Sequence, residues 1–277
     1  MPELVGNALK RIRRNSRARA VAGRIPGLKP AYHELRKQVI VRRGVGRLDY
    51  DRAPVRICTS SRRAVEMRLY PVSKEPWTVE WIEGNVGDGD VVYDIGANVG
   101  AYSLIAATVG GPATRVVAIE PGYANYAALC DNIILNGFGA TIVPLPAVVG
   151  AIRHLGTLSY RDTAAGAALH ELDASDEGVY RQPVLVHTLD DLIDDFDLPQ
   201  PTLIKLDVDG AEALVLSGAQ RTLAGLQLRS LIVEIEDRLT EAVCSELDRA
   251  GFGIVERFDA RDGTPLPGVW YGIFARA

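Results

Sequence analysis

The sequence predicts an α/β protein built on a doubly wound, mostly parallel sheet with an antiparallel edge strand, preceded by an N-terminal α/β extension. Three observations lead there. From Val91 onward, short apolar strands alternate with helix-like segments, the order that generates parallel sheets. The first of these strands, Val91-Val92-Tyr93-Asp94-Ile95, runs into the glycine turn Gly96-Ala97-Asn98-Val99-Gly100. In α/β proteins such a junction is where nucleotide-like cofactors bind. The later strands end in acids: Glu120, then Asp207 with Asp209, then Glu234 with Glu236.

Residues 1–85 do not follow the alternation and read as an extension, whereas 86–277 read as the core domain. In the extension, helical patterns at 2–21 and 30–37 precede strand-like runs at 38–42, 55–59 and 65–70. Pro76 then opens a short helix to residue 83. After a glycine-rich break at 84–90 come the strand 91–95 and a helix over 101–109, closed by Gly110-Gly111-Pro112. A second strand at 116–119 and a helix at 123–135, stopped by Asn136-Gly137, lead to a third strand at 141–149. Residues 150–183 are weakly patterned and predict an irregular insertion. A strand at 184–187, a helix at 189–194, a strand at 203–208 and a helix from Glu212 follow. The order closes with a strand at 231–235, a helix at 241–250, and strands at 254–258 and 269–275. Gly263 and Pro265 lie between the last two strands with no helix signal, which predicts an antiparallel hairpin at the sheet edge.

Composition removes several function classes. At 277 residues the chain can bury a large core. A sequence pI near 5.7 gives no footprint for nucleic acid, and no apolar run reaches the length of a membrane span. Cys58, Cys130 and Cys244 are scattered without C-x-x-C spacing, as expected for reduced thiols in a cytoplasmic protein. The segment from Lys10 to Arg24 carries Arg11, Arg13, Arg14, Arg17 and Arg19 without an acid. It reads as a solvated face or a surface for anions, and its alanines are too weakly apolar for a stable membrane anchor.

The turn itself narrows the ligand. A dinucleotide fingerprint needs a glycine where Asn98 stands, so that the backbone can approach a pyrophosphate. Asp94, closing the strand, would repel phosphate. The site therefore suits a cofactor with an amine and no phosphate. Glu120 lies one half-unit further on, where a carboxylate can accept both hydroxyls of a ribose. Together with Asp94 it suits a nucleoside bearing a sulfonium and an amino-acid tail, with Gly96 and Gly100 letting the backbone pass close to that tail. A nicotinamide-dependent oxidoreductase and a binding protein that has lost turnover are the competing readings.

The stretches Asp94-Ile95-Gly96-Ala97-Asn98-Val99-Gly100, Ala118-Ile119-Glu120-Pro121, Thr188-Leu189-Asp190-Asp191-Leu192 and Ile204-Lys205-Leu206-Asp207-Val208-Asp209-Gly210-Ala211-Glu212 resemble the successive signatures of FkbM-family S-adenosylmethionine-dependent methyltransferases. The resemblance covers roughly residues 77–236. It implies the seven-stranded, Rossmann-like class I methyltransferase fold and O-methylation of a hydroxyl on a sugar, glycan or glycosylated natural product. N-methylation or carboxyl methylation of a small metabolite is the alternative. The family commonly has Glu where Asp209 stands, which shortens the reach of that acid here.

Carried over by position, Gly96, Asn98 and Gly100 hold the methionine moiety, Glu120-Pro121 the ribose end, and Ala147 a small apolar surface for adenine. Tyr102 and Ser103 open the first helix and face cofactor or substrate. Asn125, Asn132 and Asn136 read as polar helix-face and capping residues. Methyl transfer is an in-line displacement that needs positioning and loss of the acceptor proton. Asp207, Asp209 and Glu212 are the candidates for that work, with Lys205 orienting them or acting as base if desolvation lowers its pKa. Asp207, Glu234 and Glu236 could bind a divalent cation such as Mg²⁺. His154 and His170 in the insertion are further candidate bases, His187 reads as a packed histidine and His33 lies outside the core. A homodimer and a role for the extension in substrate or subunit contacts complete the expectations.

Overall fold

The computed structural model describes residues 44–59, 68–168, 171–173, 178–259 and 268–276. The expected helices at 2–21 and 30–37, the strand at 38–42, the basic run from Lys10 and both His33 and His170 lie outside them. In the extension, β1 (Val45–Arg47) and β2 (Arg56–Cys58) form an antiparallel ribbon. Two helices follow, α1 (Pro71–Lys74) and α2 (Pro76–Asn85), each opened by a proline at a position where the missing N–H costs nothing. Residues 68–70, the described end of the strand expected at 65–70, are not in a strand.

The core alternation holds closely. β3 (Val91–Ile95), α3 (Ala101–Gly110), β4 (Arg115–Ile119), α4 (Tyr123–Asn136) and β5 (Ile142–Leu145) run in order. The expected third strand at 141–149 is two strands. Pro146 cannot donate to a ladder, and the chain leaves the main sheet there to form β6 (Val148–Val149). The expected irregular insertion is also ordered. β7 (His154–Tyr160), β8 (Glu171–Leu172) and β9 (Tyr180–His187) join β6 in a second sheet of order β6-β9-β7-β8. Gly156 and Pro183 inside its strands hid the pattern.

After α5 (Leu189–Asp195) come β10 (Leu203–Leu206), α6 (Glu212–Ser217), α7 (Gln220–Ala224), β11 (Ser230–Glu236), α8 (Thr240–Arg249), β12 (Phe252–Asp259) and β13 (Val269–Arg276). The main sheet has seven strands in the order β12-β13-β11-β10-β3-β4-β5. The expected hairpin stands at its edge, and the reversed strand is the inner one: β13 runs antiparallel to both β11 and β12. The direction of winding changes between β3 and β10, so the ligand crevice is expected above their carboxyl ends. Register makes that crevice level. Leu206 pairs with Ile95 and with Val233, and Ile95 pairs with Ile119. Asp207, Gly96, Glu120 and Glu234 thus follow neighbouring rungs.

The core lies on both faces of this sheet. One face packs α5 to α8 against Tyr93, Ile119, Leu206 and Val233. The other gathers α2 and α3 with Leu48, Tyr50, Ile57 and Leu69 of the extension. The described part of the extension therefore shares the core, with no break in packing at residue 85. Asn132 and Asn136 reinforce the join. Asn132 accepts from Cys58 N at 2.6 Å and Asn136 from Arg56 N at 2.9 Å.

Gly96 is the tightest point. Its φ is +85°, and a Cβ there would stand 1.8 Å from the carbonyl oxygen of Asp207. Gly100 has the same φ but would meet only the flexible end of Leu129. Gly96→Ala is expected to destabilise the protein by about 3 kcal/mol and Gly100→Ala by about half as much. Urea unfolding midpoints of the two variants check the order.

Candidate active site

A cleft of about 830 Å³ opens above the level strand ends, a size that suits a small-molecule ligand. Its floor is Ile95-Gly96, Ile119-Glu120-Pro121 and Asp207–Gly210. One wall is apolar, from Ala147, Val148, Leu158 and Val186, and the far end is polar, with Glu234, Glu236 and Tyr271. The insertion and the extension both contribute to the rim, through His154 and Ala167 and through Arg68 and Lys74.

Glu120 is buried at the cleft base and accepts from Asn98 N and Gly122 N, both at 2.8 Å. Burial pushes its carboxyl up to about 7, against these hydrogen bonds and the nearby Arg68 charge. Asn98 takes a φ of +50°, which asparagine tolerates better than most residues. Its side chain is committed elsewhere: Nδ2 donates to Ala167 O at 2.8 Å. Asn125, on the same side, donates to Ala167 O at 3.1 Å and accepts from Gly166 N at 2.8 Å. The two amides hold the 164–168 loop of the insertion over the turn.

The acid of the turn does not face the cleft. Asp94 accepts from Ser103 Oγ at 2.5 Å, and its other oxygen lies 3.5 Å from Lys205 Nζ. Asp94 and Ser103 are therefore support beneath the turn, and Gly100 packs behind it on Leu129. Tyr102 is buried under the Lys205 ammonium, 5.1 Å from ring centre to Nζ, and lines a small recess beside Gly96 and Asp207.

Lys205 corrects the expectation of a lysine base. Desolvation pulls its pKa down, but Asp207, Asp94 and Glu75 outweigh it and hold the ammonium above its ordinary range. It acts by orientation, at 3.1 Å from Asp207 Oδ2. Burial works to raise the Asp207 carboxyl, yet the Lys205 charge prevails and holds it low and ionised. Glu212 is likewise corrected. Its Oε1 accepts from Val208 N and Gly210 N, each at 3.1 Å, so it shapes the turn after β10 rather than facing the cleft. Burial raises its carboxyl to about 7.

The cation trio changes membership. Oxygens of Asp207, Asp209 and Glu234 lie within 4.8 Å of one another. Glu236 instead pairs with Arg238 Nε at 2.5 Å. Burial and the charge of Asp207 push the Glu234 carboxyl well up, and it accepts from the Tyr271 hydroxyl. His154 is held between Ile152 O at 3.1 Å and Asp173 Oδ2 at 2.9 Å. The Asp173 hydrogen bond, then that of Ile152, raises its pKa and opposes a base role. His187 packs edge-on against Phe196. Arg68, Lys74 and Tyr271 were missed by sequence reasoning. The first two precede every motif, and Tyr271 reaches the site only because β13 pairs it with Glu234.

A switch-point cleft above a seven-stranded sheet with its second strand from the edge reversed defines a class I, Rossmann-like methyltransferase fold. The chain belongs to the methyltransferase FkbM domain family, whose model matches residues 94–254. That membership decides for methyltransferase over oxidoreductase. The chain is 28% identical over 151 residues to hexuronic acid methyltransferase AglP of Haloferax volcanii. The match covers 53% of this chain and 56% of that relative, so this chain spans about half the relative's length. Among solved structures it is similar to methyltransferase FkbM of Methylobacillus flagellatus KT, with 16% identity and a TM-score of 0.46, covering 86% of this chain and 57% of that one. It is also similar to precorrin-6y C5,15-methyltransferase of Geobacter metallireducens GS-15, with 16% identity and a TM-score of 0.45, covering 73% and 87%.

The raised carboxyl of Glu120 has a measurable sign. A folded-state pKa near 7 against an ordinary 4.5 means its burial is favourable at low pH, and that contribution is lost as pH rises through 7. In the ligand-free protein, the melting temperature of Glu120→Gln relative to wild type is expected to rise between about pH 5 and about pH 8. A difference that stays flat would show that Glu120 ionises normally.

Proposed function

We propose that this chain transfers a methyl group from S-adenosylmethionine to an oxygen of a sugar or glycosylated metabolite. One observation carries the reading: a single cleft joins an apolar, Glu120-floored half to a polar half at Asp207, with the Gly96 turn between them. The residues of the first half suit the nucleoside. Glu120 presents a carboxylate for a ribose diol and Ala147 with Val148 a flat apolar wall for adenine. The name of the Haloferax relative, a hexuronic acid methyltransferase, supports a sugar acceptor. Among the described residues, no helix is long and apolar enough to cross a membrane.

When bound, S-adenosylmethionine supplies an electrophilic methyl on a sulfonium. The chain's own work is orientation and charge. Lys205, itself held by Asp94, keeps Asp207 ionised at the end of β10, where Asp207 accepts a hydrogen bond from the acceptor hydroxyl and draws off its proton as the oxygen attacks. Burial pushes the Glu234 carboxyl well up, and with Tyr271 it offers polar contacts that steer a polyol. Trp77 of α2 packs on Tyr271 with ring centres 5.1 Å apart, so the extension shapes the acceptor half.

Asp207→Asn is expected to lower kcat/KM about a hundredfold or more. Transfer of labelled methyl to a panel of uronic acids, neutral sugars and amines measures it, and labelling confined to amines would move the reading to N-methylation. The same assay after EDTA dialysis is expected to run at an unchanged rate with or without added Mg²⁺. Stimulation by Mg²⁺ would assign Asp207, Asp209 and Glu234 to a cation.

A further inference from the structure

Beside the turn lies a small recess rich in charge. Arg68 and Lys74 line it together with Gly96, Asn98 and Tyr102 and with Lys205 and Asp207, which are paired to each other. Arg68 and Lys74 come from the extension, ahead of the residues that the family model matches. Arg68 is only partly used. Its Nε donates to Gly166 O at 3.2 Å, and among the described residues its terminal nitrogens have no hydrogen bond or ion pair. A guanidinium carries five N–H donors in a fork suited to a carboxylate. Lys74 is 2.5 Å from Glu75, which neutralises part of its charge. The first turn of α3 adds N–H groups without intrahelical partners.

We propose that Arg68, assisted by Lys74, is a carboxylate clamp for the amino-acid end of the methyl donor, so that the N-terminal extension completes the cofactor site. This rests on the donor proposed above. Arg68 and Lys74 favour an anion in this recess, and the carboxylate of an amino-acid tail meets that need while Asp207 stays with Lys205 and the acceptor hydroxyl. The bond from Arg68 to Gly166 also joins extension and insertion across the cleft, so a ligand held by Arg68 touches both walls. An acceptor carboxylate is the competing source of the same chemistry.

Calorimetric titration of the full chain separates the two. S-adenosylmethionine and its decarboxylated analogue share adenosine, sulfonium and amine, and differ by the carboxylate alone. Arg68→Ala is expected to weaken S-adenosylmethionine about tenfold or more and the analogue less than about twofold. Lys74→Ala should show the same pattern with a smaller loss. Equal losses for the two ligands overturn the clamp while leaving the donor reading intact. So does unchanged donor affinity with a raised KM for an acidic acceptor, which assigns Arg68 to the acceptor. A wild-type chain that binds neither ligand overturns the donor reading and the clamp with it. The analogue serves as the folding control, since a misfolded variant would lose both ligands, and Lys74→Ala tests the recess independently of Arg68.

Discussion

One buried ammonium organises this molecule. Lys205 sits in the middle of the parallel sheet, directly opposite Asp94 in the register of β10 and β3. Taking a charge out of water is costly, and it is tolerated only where opposite charges and hydrogen bonds replace the solvent. Here Asp94 and Asp207 supply the charges, Ser103 fixes Asp94, and the Tyr102 ring covers the ammonium. Each partner comes from a different segment: β3, the end of β10, and the first turn of α3. The cation therefore holds the strand end, the glycine turn and the helix start in one arrangement. Gly96 must lie against the Asp207 carbonyl for that arrangement to close.

A second layer of order comes from asparagines. Asn125, Asn132 and Asn136 occupy α4, and Asn98 stands in the turn. Their amides both donate and accept, which lets one side chain satisfy a strand or loop that would otherwise bury unpaired backbone groups. Asn132 and Asn136 bind β2 of the extension, whereas Asn98 and Asn125 bind residues 166–167 of the insertion. The two walls of the cleft are thus fastened to the same helix and turn. This explains how segments outside the alternating core come to shape a ligand site.

The carboxylates at the rim differ in how readily they carry charge. Asp207 is kept ionised by Lys205, while burial and that very charge push the Glu234 carboxyl well up. Glu212 and Glu120 are absorbed by backbone N–H groups. A rim that looks uniformly acidic in sequence is electrostatically diverse in space.

The sequence by itself determined the local and the periodic. Alternation from Val91, the glycine turn and the acids at strand ends are short-range signals, and they placed β3, α3, β4 and α4 within a residue or two. They also placed Glu120 and Asp207 at the cleft, because a residue closing a parallel strand has only one edge to go to. What the tertiary structure alone decided were pairings between distant segments. Whether Lys205 would lose its proton depended on how many carboxylates surrounded it. Whether Glu236 or Asp209 joined Glu234 depended on Arg238, and Tyr271 reached the site through strand register. The insertion sheet was hidden by Gly156 and Pro183, since its strands are stabilised by one another rather than by their own pattern. Spacing encodes which edge a side chain occupies, whereas charge state and partner are set by three-dimensional surroundings that no local window contains.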